Sequence, residues 1–235
     1  MALRYTALAD RLESTLDLDY PPVAVARVDQ RPDSVEQWTK VVPSACSFWR
    51  HAEQTVFYAD EASHMGCPIG ALVMGFELPP PKHEELMSLI GNMCSIAYLR
   101  EDEVSSIPRF TPGPSGAVYG PLGKFPLEPD NVILWVTPKQ AMYVEESLCG
   151  TQWTGNQSPV LGRPACAALP LADDAGSATL SMGCIGMRTF TEIPDGYSLV
   201  AIPSIALEGL AAHLSETLAA NATMEACYKA MKASV

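Results

Sequence analysis

Asn131-Val132-Ile133-Leu134-Trp135-Val136 runs directly into Thr137-Pro138-Lys139-Gln140. An unbroken apolar, β-branched run of this length reads as a strand covered on both faces. Thr137 with Gln140 three residues on forms a capping box, and Pro138 suits the first helical position. The pair therefore predicts a buried strand leading into a helix that runs to about Leu148. Working outward, Val23 to Val28 is a second β-branched strand, entered from a helix over residues 2–17 that Tyr20-Pro21-Pro22 ends. Short strands are expected at Thr55–Tyr58, Ala117–Tyr119, Ala178–Ser181 and Leu199–Ile202. Helices are expected at Cys46–Glu53, from Pro68, over Lys82–Leu99, from Ser204 to about Ala220, and over Met224–Lys232. The fold class is α/β, or α+β: a single compact domain over 1–235. Its two pseudo-repeated halves, about 20–80 and 129–200, share a mixed sheet with flanking helices, and C-terminal helices cover 204–232.

Composition narrows the function classes. Of the 235 residues, 48% are hydrophobic and 18% charged, so a sizeable core is available. Fifteen Lys and Arg against 27 Asp and Glu leave a net charge of −12, which repels nucleic-acid backbones and anionic membranes. No apolar run reaches the roughly 18 residues of a membrane span. The N-terminal segment meets acids at Asp10 and Glu13 before any apolar signal core, so a cytoplasmic protein is expected. In a reducing compartment seven cysteines are thiols, metal ligands or redox groups rather than disulfides.

Four of those cysteines form an internal repeat. Pro43-Ser44-Ala45-Cys46 is followed by Met65-Gly66-Cys67-Pro68-Ile69-Gly70, and Pro164-Ala165-Cys166 by Met182-Gly183-Cys184-Ile185-Gly186. Each unit follows a strong strand. A pseudo-twofold relation between the halves would bring Cys46, Cys67, Cys166 and Cys184 together. Cys94, Cys149 and Cys227 read as packing residues.

Tyr20-Pro21-Pro22-Val23-Ala24-Val25, the Cys46–Ala52 segment, Cys67-Pro68-Ile69-Gly70 with Gly75, Pro138-Lys139-Gln140-Ala141-Met142, and Ser181 through Arg188 occur in an order that is similar to one family. The chain resembles domain of unknown function 169, an archaeal cysteine-rich group, from about residue 18 to 215. The resemblance implies a cytoplasmic prokaryotic protein of the kind met in anaerobic metabolism, with a metal centre held by cysteines. Carried onto this chain, the matching positions are Cys46, Cys67, Cys166 and Cys184. If Cys166 falls outside the set, three thiolates with one open position remain.

Four thiolates suit an iron–sulfur cluster or Zn²⁺. Neither paired C-x₂-C knuckles nor a ferredoxin run is present. The preferred expectation is an iron–sulfur cluster, of the 4Fe-4S type, serving electron transfer or redox chemistry on a small molecule. The alternatives are a zinc-stabilised, non-catalytic accessory protein and a metal-free thiol oxidoreductase. Expected partners are a small molecule or a redox protein, with no nucleic acid or membrane, and a homo-oligomer is compatible. Gly66, Gly70, Gly183 and Gly186 would let backbone N–H groups approach the sulfurs, and Arg50, Arg163 and Arg188 would offset thiolate charge. His51 and His64, each close to a key cysteine, are candidate ligands or proton donors but read rather as surface or hydrogen-bonded residues, and His83 and His213 as structural. Met65, Met74, Met182 and Met187, with Trp49 and Trp153, are core residues or pocket walls. The loop from Gly150 to Gly162 is a candidate ligand loop or a plain connector. No nucleophile elbow, Walker loop or dinucleotide fingerprint occurs.

Overall fold

The computed structural model describes residues 2–97, 99–148 and 164–234. Six strands form one sheet in the order β2-β3-β1-β4-β6-β5: β1 (Val23–Val28), β2 (Phe57–Asp60), β3 (Gly116–Pro121), β4 (Asn131–Val136), β5 (Thr179–Ser181) and β6 (Ser198–Pro203). Every neighbouring pair is antiparallel, which corrects the expected mixed sheet. Apolar runs signal that a strand is buried but carry no sign of its direction.

The two halves are laid out alike. The two central strands, β1 and β4, pair antiparallel, with Ala24 opposite Val132, Val23 opposite Ile133 and Val25 opposite Asn131. Along their full lengths β1 pairs β3 from Val23↔Pro121 to Val28↔Gly116, and β4 pairs β6 from Asn131↔Pro203 to Val136↔Ser198. On the outer side, Phe57 faces Tyr119 and Thr179 faces Ala201. Tyr119 and Ala201 are each the fourth residue of their strands. A pseudo-twofold axis between Ala24 and Val132 therefore relates one half-sheet to the other, register included.

Side chains alternate across the strands, as a pleat requires. Val23, Val25, Phe57, Tyr119, Ile133, Trp135, Leu199 and Ala201 enter one core layer, and Ala24, Ala26, Val118, Val132, Leu134, Val136, Val200 and Ile202 enter the other. The second layer is closed by α1 (Ala2–Leu16), α6 (Pro138–Ser147) and α9 (Ser204–Ala233). The capping box at the start of α6 is present: Thr137 Oγ1 accepts from Gln140 N, and Gln140 Oε1 accepts from Thr137 N. α9 is a single 30-residue helix where two were expected. Asn221, at the expected break, bonds outward to Glu146 and back to the Thr217 carbonyl, so it supports the helix.

The first layer is built from short helices: α2 (Ser47–His51), α3 (Glu61–His64), α4 (Pro68–Val73), α7 (Ala168–Ala175) and α8 (Ile185–Thr191). The longer α5 (Pro80–Ser95) packs on α4. The first half runs β1, α2, β2, α3, α4, α5, β3, so it extends to Pro121 rather than ending near residue 80, and the second runs β4, α6, α7, β5, α8, β6. The strands correspond, while α3 and α5 are particular to the first half and α6 to the second; α3 lies between β2 and the Met-Gly-Cys turn.

A four-cysteine cavity

All four repeated cysteines lie on the same side of the sheet, each where a helix begins. Cys46, Cys67 and Cys184 immediately precede α2, α4 and α8, and Cys166 sits in the 3₁₀ turn Ala165–Ala167 that opens into α7. Pro68 occupies the first turn of α4, where its missing N–H costs no hydrogen bond. Cys184 Sγ accepts a hydrogen bond from the Met187 backbone N–H at 3.3 Å, and the Cys46 thiol donates to Ser44 Oγ at 3.2 Å.

The four side chains line one cavity of about 270 Å³. Its apolar walls include Trp49, Ile69, Met74, Leu89, Met93, Met187 and Phe190, and its rim reaches the surface at the exposed Ile185 and Phe190. Gly70 keeps the cavity open. A Cβ added there would lie 3.4 Å from Cys67 Sγ and 4.0 Å from Cys166 Sγ, touching one cysteine from each half.

Gly186 also lies beside a sulfur, a Cβ there being 3.9 Å from Cys184 Sγ, whereas Gly66 and Gly183 act differently from the expectation. A Cβ on Gly66 would meet the Pro43 carbonyl oxygen at 2.8 Å, so its role is to let the turn before Cys67 lie against the segment before Cys46. Gly183 holds φ at +80°, which only glycine adopts without strain, and a Cβ there would stand 2.0 Å from Met187 Cε.

Burial dominates the thiol chemistry. It pushes Cys46 up to about 11, against a small lowering from the Ser44 hydrogen bond. Cys166 is raised well above the ordinary thiol range by burial first, then by Cys67, Cys184 and Cys46. Without an occupant, these two groups are neutral thiols at pH 7. All the described cysteines are free of disulfides. Among the described residues, no three His, Cys, Asp or Glu side chains meet as ligands of one ion.

Two of the expected counter-charges, Arg50 and Arg188, are not at the cavity. Among the described residues, no Arg, Lys, Asp or Glu lines it. Arg50 pairs with Glu53 and stacks on Tyr20, and Arg188 bonds the carbonyls of Met182 and Tyr197. Both are near the cysteines in sequence, yet their guanidinium groups are engaged elsewhere. Arg163, Cys149, Trp153 and the Gly150–Gly162 loop lie outside the described residues. Cys227 is exposed on α9 rather than packed, and Cys94 is half-buried on α5.

Tyr119 is a cavity residue that the sequence reading passed over. It is 1% exposed, and its hydroxyl meets His64 Nε2 at 2.8 Å. His64 is 0% exposed, and its Nδ1 meets the Asp60 backbone carbonyl at 2.7 Å. Burial lowers His64 to about 4, outweighing the Asp60 carbonyl and the Asp60 charge, both of which act to raise it. His64 is thus a hydrogen-bonded core residue, as expected, with a partner on the cavity wall.

Fold and site together define a cysteine-lined α/β/α protein built from two fused, similar halves. The chain belongs to the uncharacterised ArCR family, domain of unknown function 169, whose family model matches residues 11–213. No curated protein and no solved structure matches it.

Proposed function

We propose that the chain binds an iron–sulfur cluster through Cys46, Cys67, Cys166 and Cys184, and serves electron transfer or redox chemistry on a small molecule. The observation that carries this reading is the convergence of two cysteines from each half on one apolar cavity. Its size supports a polyatomic group: an engineered cavity of about 150 Å³ takes up benzene, and this one has about 270 Å³. A lone Zn²⁺ with bonds of about 2.3 Å needs its four sulfurs roughly 3.8 Å apart around one point. Among the described residues, no three metal-binding side chains share such a point. The raised Cys46 and Cys166 weigh against thiol redox chemistry, because an attacking thiol must be a thiolate.

The bound cluster would supply one-electron transfer. The chain's own residues hold and shield it. Cys46 and Cys166 give up protons when they ligate, so loading is favoured at higher pH. Trp49, Met74 and Met187 exclude water from the walls. The partner is a small molecule or a redox protein; the charge of −12 disfavours nucleic acid. Among the described residues, no helix is long and apolar enough to cross a membrane.

The test compares Cys67→Ala with Cys227→Ala after anaerobic purification. Loss of bound iron and sulfide in the first, with full retention in the second, is expected. Equal content in both would overturn the site.

A further inference from the structure

The cavity is symmetric in sulfur but not in polarity. Each half brings two cysteines, yet the hydroxyls among the described lining residues, those of Ser44 and Tyr119, both come from the first half. The strand register equates Tyr119 with Ala201, which has no polar side-chain atom. The same half also carries α3, and α3 supplies His64. The second half runs from β5 through Met182 and Gly183 to Cys184 with no such helix. Tyr119 and His64, two first-half residues without a counterpart in the second half, are hydrogen-bonded to each other.

That bond has a fixed direction. The Asp60 backbone oxygen can only accept, so His64 Nδ1 carries a proton and donates it. The ring is buried and neutral, which leaves Nε2 as an acceptor. Tyr119 O–H must then donate to Nε2. The Asp60 carboxylate does not compete for the ring, because it accepts from Ser63 N and Oγ and from Gln37. With its proton committed to His64, the Tyr119 oxygen presents only lone pairs elsewhere. Tyr119 lines the same cavity as Cys46 and Cys166.

We propose that Tyr119, oriented by His64, is a positioning residue that turns the negative end of its hydroxyl dipole towards the four-cysteine cavity and so makes a bound cluster harder to reduce. This rests on the cluster reading above. A backbone or hydroxyl group that donates to a ligand sulfur stabilises added negative charge and raises the potential. Tyr119 is aimed the other way, so removing its oxygen has the opposite sign.

The experiment is a mediator-coupled potential titration of the cluster-loaded chain, with Tyr119→Phe beside wild type and iron and sulfide measured on each sample. The variant keeps the ring that packs on Phe48, Phe57 and His64, so full cluster content is expected. Its midpoint potential is expected to move positive. His64→Leu frees the hydroxyl to turn towards sulfur and is expected to move the potential further in the same direction. Adding Tyr119→Phe to it should remove that extra shift. If His64→Leu does not fold, Tyr119→Phe alone decides. A negative shift would mean that the hydroxyl donates to the cluster, and an unchanged potential would mean that it does not act on it; either overturns the proposal. Loss of iron in folded Tyr119→Phe would make Tyr119 a ligand and overturn it as well. Absence of iron from wild type would instead sink the cluster reading itself, and this inference with it.

Discussion

Gly70→Ala separates the stability of the fold from the capacity of the cavity. Gly70 is the third residue of α4, buried, with no positive φ. An alanine there removes a helix penalty of up to about 1 kcal/mol. The new methyl meets Cys67 Sγ at 3.4 Å and Cys166 Sγ at 4.0 Å, ordinary contact distances that need no rearrangement. The metal-free variant should therefore be as stable as wild type in urea, or more stable by up to about 1 kcal/mol. The same methyl projects into the cavity between one cysteine of each half. Iron and acid-labile sulfide per chain should fall several-fold. The assay pairs a urea titration of the metal-free protein with metal analysis after anaerobic purification. Full iron content in both Gly70→Ala and the bulkier Gly70→Val would refute the view that this space is where the occupant sits.

The neighbouring motif should respond differently. Gly183→Ala places a side chain at φ +80° with its Cβ 2.0 Å from Met187 Cε, so urea stability should drop by at least the roughly 1–2 kcal/mol of a left-handed residue; unchanged stability would refute this. His64 contributes a pH dependence to the metal-free protein. Its folded value of about 4 lies below the ordinary 6.5, so its stabilisation is complete above about pH 6.5 and is lost as pH falls towards 4. Between pH 7 and pH 5 this amounts to a loss of about 2 kcal/mol, and His64→Leu should flatten the urea-stability profile by that amount; parallel profiles would contradict it. Alkylation of the metal-free chain with iodoacetamide at pH 8, read by peptide mass analysis, should label exposed Cys227 well before Cys46 and Cys166, whose thiols burial keeps protonated. Early labelling of Cys46 would argue for an activated thiol.

The sequence reveals the parts of this molecule whose signals are local. β4 and the start of α6 read correctly because a strand buried on both faces is a continuous apolar run and a capping box is a fixed four-residue pattern. The cysteine repeat was visible because cysteine is rare enough for its spacing to stand out. Short α3, α7 and α8 escaped because one or two turns are too few to establish a helical period. The Arg50 and Arg188 expectation failed because nearness in sequence says nothing about where a guanidinium points. Tyr119 lies far along the chain from every cysteine, and only the sheet register sets it beside them. A trace of its partner was nonetheless present. The interval from Cys46 to Cys67 exceeds that from Cys166 to Cys184, and the extra length surrounds His64.

The central claim is that the four cysteines share one polyatomic metal occupant. Anaerobic purification followed by a visible absorption spectrum, with iron, acid-labile sulfide and zinc measured on the same sample, tests it most directly. The account predicts iron and sulfide in near-equal amounts with a broad visible band, all lost in the Cys46→Ala, Cys67→Ala, Cys166→Ala and Cys184→Ala variants. Zinc alone, or no metal with four titratable thiols, would contradict it.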